Sequence, residues 1–397
     1  MIKKHQILFF GSISSQKKVE ELSGGSIAGN KMQINIIDEL SKYNDVELHI
    51  LSLLSVARYP IDKKVFIRKS VVKISDEICV IQIPFVNIFL IKQVTQIVSS
   101  YIQALIILYH VKIDVLFSFN LFPEMGVAFS LLSNNRKRKS VALLADLPID
   151  DQYNRKGISI IFRYLYDHLT RKMISKCDNL IVLNKNAAID YAPNANYIVI
   201  EGAADQREIS NDIIDYSLKT RKNILYTGTL AEYSGVLELL ESIQYVTDEN
   251  VILEICGEGK YVKNILEYQD KYSNIKYLGK LDNFTTRKLQ KEAYILINPR
   301  HQNDKISRVT FPSKVFEYLI SGTVVLSTKL SGFSDDYLDK VFFIESNAPK
   351  DIANGISSIL KQDIKELNEM ALKARTFIKY NKTWDIQTKK IHQFLIS

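Results

Sequence analysis

Along the chain, short apolar runs of strand length alternate with longer stretches whose apolar positions recur at helical spacing. His5–Phe10 is the first such run; it stops at Gly11, and a polar loop holding Gly24, Gly25 and Gly29 follows. Met32–Tyr43 then shows helical spacing, while Val46–Leu51, Val115–Phe119, Val141–Leu144 and Leu180–Leu183 read as further strands. Between them, Phe89–Tyr109 carries one broad apolar stripe, which predicts a core helix rather than one lying in a membrane interface. Strands alternating with helices predict a parallel sheet covered on both faces.

The pattern restarts after Glu201-Gly202-Ala203-Ala204-Asp205. Asn223–Tyr226 opens onto Thr227-Gly228-Thr229, Val236–Tyr245 is helical, and Val251–Cys256 opens onto Gly257-Glu258-Gly259. Ile275–Leu278, Tyr294–Asn298, Val324–Ser327 and Val341–Ile344 are the later strands. The expectation is an α/β chain of two doubly wound, Rossmann-like domains, residues 1–203 and 204–379, facing one another across a cleft. Ligands of such sheets sit beyond the carboxyl ends of the strands.

Composition narrows the class. Of 397 residues, 46% are hydrophobic and 10% aromatic, enough apolar surface to exclude a disordered chain. Three cysteines, Cys79, Cys177 and Cys256, are an odd number without ligand spacing, so they read as core residues in a reducing compartment, and no metal is expected. Six histidines form no pair at metal-ligand spacing, and Asp335-Asp336 reads as a solvated pair. The N-terminal apolar run is broken by Gln6 and reads as a strand, not a signal peptide. Polar residues recur through Val80–His110, so no membrane-spanning helix is expected there.

The formal net charge of +8 is lopsided: residues 1–200 hold 25 Lys+Arg against 17 Asp+Glu, and residues 201–397 hold 27 of each. The excess clusters at Lys63, Lys64, Arg68, Lys69 and Lys73, at 136–139, and from Arg155 to Lys176. Such asymmetry points to an anionic partner for the first half. No nucleic-acid-binding module accompanies it, so no nucleic acid is expected.

Candidate chemistry concentrates in the second half. Gly257-x-Gly259 follows a strand, but the third glycine of a dinucleotide fingerprint is replaced by Val262. More informative is Asn298-Pro299-Arg300, followed by Phe311-Pro312-Ser313-Lys314-Val315-Phe316-Glu317-Tyr318-Leu319-Ile320-Ser321-Gly322. Pro312 suits a first helical position and Gly322 the C-terminal stop. A helix N-terminus offers free amides and a positive dipole end to an anion. Lys314 in that first turn opposes the dipole unless an anion sits between, which argues for a phosphate ligand. Glu317, three residues on, shares its side of the helix and can accept hydrogen bonds from sugar hydroxyls.

With these motifs the sequence resembles a family 4 (group 1) glycosyltransferase of the GT-B fold, of the bacterial surface- and capsular-polysaccharide subset. The resemblance rests on the 311–322 run, Asn298-Pro299-Arg300, Leu225-Tyr226-Thr227-Gly228-Thr229-Leu230, Gly257-Glu258-Gly259, Ala145-Asp146-Leu147-Pro148 and a Val199-Ile200-Glu201-Gly202 interdomain strand. Trp384-Asp385 resembles the start of a last helix that crosses back, so residues 380–397 return to the N-terminal domain. The resemblance implies metal-independent, retaining transfer of a sugar from a nucleotide-diphosphate sugar, which is a substrate and not a cofactor, to a lipid-linked saccharide. It implies Glu317 on the ribose, Lys314 and Arg300 on the diphosphate, and Gly228, Thr229, Gly257, Glu258, Gly259, Pro312 and Ser313 around the donor. Gly24 and Gly25 would lie near the phosphates and Asp146 near the reacting sugar. A cytoplasmic protein, peripheral at the inner face of the membrane through its basic first half, follows.

Three departures from the family involve four positions. Val309 stands where the first of two paired carboxylates belongs, Thr229 and Ser234 stand where many members carry Arg and Lys, and Thr323 replaces a proline. These changes leave Arg300 and Lys314 to supply the positive charge. They also allow two other readings, a nucleotide-sugar 2-epimerase and a non-catalytic partner of another transferase.

Overall fold

A computed structural model describes residues 4–15, 26–75, 78–135, 137–149 and 158–397. It divides into two units, Met1–Ile200 with Thr388–Ser397, and Glu201–Gln387. In the first, the chain runs β1 (His5–Gly11), α1 (Ile27–Ser41), β2 (Val46–Ser52), β3 (Phe66–Ile67), β4 (Ser70–Lys73), β5 (Cys79–Gln82) and β6 (Phe85–Val86). It continues through α2 (Ile91–His110), β7 (Val115–Phe119), α3 (Pro123–Ser133), β8 (Lys139–Leu144), α4 (Ile158–Ile174), β9 (Asn179–Val182), α5 (Lys185–Tyr191) and β10 (Asn196–Val199). Eight strands form one sheet in the order β10-β9-β8-β7-β1-β2-β5-β4, and only β4 runs antiparallel to its neighbour. β3 and β6 make a separate antiparallel pair.

All five residues of β7 are buried, as a central parallel strand with helices on both faces requires. The steps from β5 to β7, β7 to β8 and β8 to β9 run one way across the sheet, so right-handed crossovers place α2, α3 and α4 on one face. The reverse step from β1 to β2 places α1 on the other. Helix α3 packs against both α2 and α4.

Helix α2 overturns the expectation of a core helix. Its buried residues are Gln96, Ser100 and Ala104, while its apolar stripe is exposed, Val94 at 60% and Tyr109 at 86%. Small and polar side chains face inwards because α3 approaches closely there: the Ser100 hydroxyl donates to the Glu124 carbonyl at 2.7 Å. By length and composition alone the helix is long and apolar enough to cross a membrane, with mean hydropathy 1.2. Cys79 is a second correction. It lies exposed at the start of β5, beside the edge strand β4, while Cys177 and Cys256 are buried.

The second unit runs β11 (Asn223–Thr227), α6 (Val236–Ser242), β12 (Ile252–Cys256), α7 (Val262–Lys271), β13 (Ile275–Gly279), α8 (Asn283–Glu292) and β14 (Ile295–Asn298). Then come α9 (Lys305–Val309), α10 (Lys314–Ser321), β15 (Val324–Thr328), β16 (Phe342–Ile344), α11 (Pro349–Leu360), α12 (Ile364–Asn381) and α13 (Trp384–Ile396). Six parallel strands take the order β13-β12-β11-β14-β15-β16. Ile224, Leu253, Ile295 and Leu326 from the sheet pack with Leu239 and Ile356 from the helices in one core. The strand order reverses between β11 and β14, which makes their carboxyl ends the switch point of this sheet.

The expected strand over Val199-Ile200-Glu201-Gly202 ends instead at Val199. Beyond it the Glu201 carboxylate is taken up by Lys382 Nζ at 2.6 Å and the Tyr337 hydroxyl at 2.7 Å, a side-chain anchor where a ladder was expected. The end of α13 returns to the first unit, where Lys139 Nζ donates to the Phe394 carbonyl at 2.6 Å.

Candidate active site

In the second unit, three strand ends meet through backbone contacts too close for side chains. The Gly228 amide donates to the Cys256 carbonyl at 3.0 Å, and the Leu230 amide to the Glu258 carbonyl at 3.0 Å, joining the loops after β11 and β12. A Cβ at Gly257, whose φ is +153°, would stand 1.8 Å from the Gly228 oxygen. Gly235, at φ +70°, does the same for the loop after β14, since a Cβ there would stand 1.8 Å from the Pro299 oxygen. Only glycine fits where backbones approach this closely at positive φ.

Helix α10 is locked to the same place. Tyr318, fully buried, accepts from the Thr227 amide at 2.9 Å and donates to the Thr227 carbonyl at 3.0 Å, tying the helix to the end of β11. The α-helix begins at Lys314 with Ser313 at its cap, so Pro312 stands before the first helical position rather than in it. The opening turn is tight, with the Val315 amide reaching the Pro312 carbonyl at 2.9 Å and the Phe316 amide the Ser313 carbonyl at 3.2 Å. Gly322 closes the helix at φ +82°.

Lys314 Nζ and Glu317 Oε2 lie 2.8 Å apart, both half-buried. The lysine expected to need an anion therefore has a carboxylate on its own helix that offsets the unfavourable dipole. Arg300 is the less satisfied cation. Its guanidinium stacks 4.7 Å over the Tyr233 ring, its Nε is buried without a hydrogen-bond partner, and burial pushes its pKa below the usual arginine value. A buried donor left open at the end of a strand is suited to an anionic acceptor, because charged partners form the strongest such bonds.

The remaining positions divide. Thr229 is exposed, and its carbonyl accepts from the Tyr226 hydroxyl at 2.8 Å. The Glu258 carboxylate pairs with Lys280 at 2.6 Å on the surface, so its contribution to the loop is its backbone. Ser234 is buried with its hydroxyl donated to the Ala231 carbonyl, and Val309 is buried at the end of α9. An apolar side chain fills the position where a paired carboxylate was sought. Thr323 donates to the Gln290 carbonyl at 2.8 Å and accepts from Lys219 Nζ at 2.7 Å, a buried polar junction in place of a proline. His301 Nε2 stands 3.1 Å from Glu238 Oε1.

The first unit holds a cavity of about 380 Å³ whose lining includes Ser14, Gln33, Asn120, Glu124, Asp146 and Tyr166. Asn120, at φ +60°, accepts from the Ala145 and Asp146 amides at 2.8 and 3.0 Å, and its own amide donates to Asp146 Oδ2 at 3.1 Å. Asn120 thus aims Asp146, and burial raises the pKa of that carboxyl above the ordinary aspartate value. Glu124 is raised by burial too, and accepts from the Tyr166 hydroxyl at 2.9 Å. Gly24 and Gly25 lie outside the described residues. Among the described residues no group of three or more His, Cys, Asp or Glu is placed to hold a metal ion.

Residues 210–377 match the family described as glycosyl transferases group 1. The second unit carries a glycosyl transferases group 1 domain. No curated protein matches the chain. Among solved structures, a sucrose-phosphate synthase from Thermosynechococcus elongatus superposes with a TM-score of 0.70 at 12% identity, covering 98% of both chains. HepE of Anabaena in complex with UDP-glucose gives 0.66 at 14% identity, over 98% of this chain and 99% of its own. A glycosyltransferase from Rickettsia africae gives 0.62 at 14% identity, over 99% and 98%. At these identities the likeness is one of fold, and the fold is GT-B.

Sequence reasoning missed Tyr318, Gly235, Tyr233 and Asn120, although each sits within or beside a motif it used. Tyr318 and Tyr233 read as ordinary apolar positions, and only their partners show that they hold the strand end and the arginine. Asn120 directly follows a strand, where a residue tolerant of positive φ was a usable signal.

Proposed function

We propose that the protein transfers a sugar from a nucleotide-diphosphate sugar to a lipid-linked saccharide, with retention and without a metal ion, in surface-polysaccharide synthesis at the inner face of the cytoplasmic membrane. The observation that carries the donor half is Arg300, a buried guanidinium with an open Nε, beside strand ends drawn together by glycine contacts and the start of α10. Together these offer backbone surface to a nucleotide and positive charge to its diphosphate. The group 1 match of this unit and the UDP-glucose complex of HepE, alike in fold, support the same donor class.

In this reading catalysis is mostly positioning and charge stabilisation. As the glycosidic bond to the diphosphate breaks, negative charge grows on the leaving oxygens, and Arg300 and Lys314 stabilise it. Glu317 accepts from the ribose hydroxyls, and Asp146 orients the acceptor hydroxyl in the first unit's cavity. The buried Val309 leaves the missing first carboxylate's work to these groups.

The test is transfer and donor hydrolysis across a panel of nucleotide-sugars, with Lys314→Ala and Glu317→Ala alongside the wild type. Both variants are expected to lose at least about 10-fold in kcat/KM, since each removes a charge-assisted bond. Wild-type rates in both would sink the assignment. An epimer formed without acceptor would favour the epimerase, and tight donor binding without turnover on any lipid-linked acceptor the non-catalytic partner.

A further inference from the structure

Helix α2 is inside out for a soluble domain. Gln96, Ser100 and Ala104 pack inwards, and Ile91, Val94, Val98, Ile102, Leu105 and Tyr109 form an exposed stripe at spacings of three and four. Only 17% of its most apolar window is buried. Helix α4, on the same face of the sheet, repeats the pattern: Ile161, Tyr164 and Leu165 are exposed, and Lys172 continues the stripe at the far end. Exposed apolar patches of this extent mark an interaction site.

Charge indicates what covers it. From Ile78 to Ile113 the sequence has no Asp or Glu, while Lys112 follows the end of α2. Arg58 lies 4.9 Å over the exposed Phe89 at the α2 entrance. In α4, Arg163 pairs with the helix's one acid, Asp167, and Arg171 is held by the Pro148 carbonyl at 2.6 Å, so the basic end consists of the exposed Lys172 and the following Lys176. An apolar face rimmed by cations complements an anionic bilayer surface, whose acyl region takes the apolar side chains while its headgroups take the basic ends.

Helix α2 cannot span. The strand β6 precedes it by four residues and β7, in the centre of the sheet, follows it by four, so both ends are held in one unit. Its polar face is engaged as well, through Ser100 and the Glu124 carbonyl.

We propose that the exposed faces of α2 and α4 form a monotopic insertion surface, lying in the interface of an anionic bilayer. The same two helices line the first unit's cavity through Lys92, Gln96 and Tyr166. A saccharide in that cavity would thus stand beside the surface that holds its lipid anchor. This part rests on the proposed function. The lipid contact deepens the membrane placement proposed there and is read without turnover, so it can fail while the donor assignment stands.

The experiment is co-sedimentation of the full chain with vesicles of phosphatidylcholine alone or with 30% phosphatidylglycerol, an amount on the order of a moderately anionic membrane. Binding is expected on the anionic vesicles and to persist in part at 0.5 M salt, on the order of several times physiological strength, because insertion of apolar side chains is not screened. Val98→Asp with Ile102→Asp, both exposed, is expected to lower partitioning at least about 10-fold while leaving circular dichroism and nucleotide-sugar binding unchanged. Ile161→Ser with Leu165→Ser is the milder companion, expected to lower it less. Undiminished partitioning of both pairs would overturn the proposal. So would absence of vesicle binding, or a wild-type dimer dispersed by the same substitutions, which would assign the face to a second copy.

Discussion

Helices α10 and α2 carry similar apolar stripes in sequence and turn them opposite ways. In α10, Val315, Phe316, Leu319 and Ile320 are buried, and Lys314 and Glu317 are left half-exposed and paired with each other. In α2 the stripe faces out, and what is buried is small or polar. Periodicity locates a stripe; it does not say whether protein or another medium covers it. The two helices correspond to the two halves of the proposed reaction, one holding a soluble donor and the other a lipid surface.

The sharpest way to break this comparison is to truncate both stripes alike. Leu319→Ala is expected to cost about 2–5 kcal/mol, as a large-to-small change in a packed core. Val98→Ala on α2 should stay within about 0.5 kcal/mol. Chemical denaturation of both variants measures this, and a destabilising Val98→Ala would show α2 to be covered by protein.

Asp146 probes the first unit. Its raised pKa means that the native state holds a proton which the unfolded chain has released, so its stabilising share is present below the ordinary aspartate range and is lost as pH rises through the raised value. Asp146→Asn should therefore keep or raise the Tm at neutral pH while lowering kcat by about 10²-fold, the lower range for a positioned acid-base group. A lower Tm with normal turnover would make Asp146 a turn cap. Smaller again is Tyr318→Phe, expected to cost about 1–3 kcal/mol by leaving the Thr227 amide without its buried partner. It should also weaken nucleotide-sugar binding, because α10 loses its tie to β11; unchanged binding would separate the helix from the site.

Much of the fold was legible because the strands are buried on both faces and therefore read as short continuous apolar runs. Val115–Phe119 matched β7 residue for residue, and Gly322 marked the end of α10. The short β3 and β6 pair and the antiparallel β4 were not legible, since they are brief and lie away from the parallel core. Of the candidate site, the motif residues were readable, but their partners were not. Nothing along the sequence says that Tyr318 reaches Thr227 or that Tyr233 lies under Arg300, whereas the spacing of three already allowed the pair that Glu317 makes with Lys314.

The central claim is that the second unit's strand ends bind a nucleotide-diphosphate sugar through Arg300. Titrating a panel of such sugars calorimetrically into the wild type and Arg300→Ala tests it most directly. At least one should bind the wild type, with affinity weakened about 10-fold or more in the variant, which loses a charge-assisted bond worth about 1.5–3 kcal/mol. No binding by the folded wild type, or equal affinity in both proteins, would contradict the account.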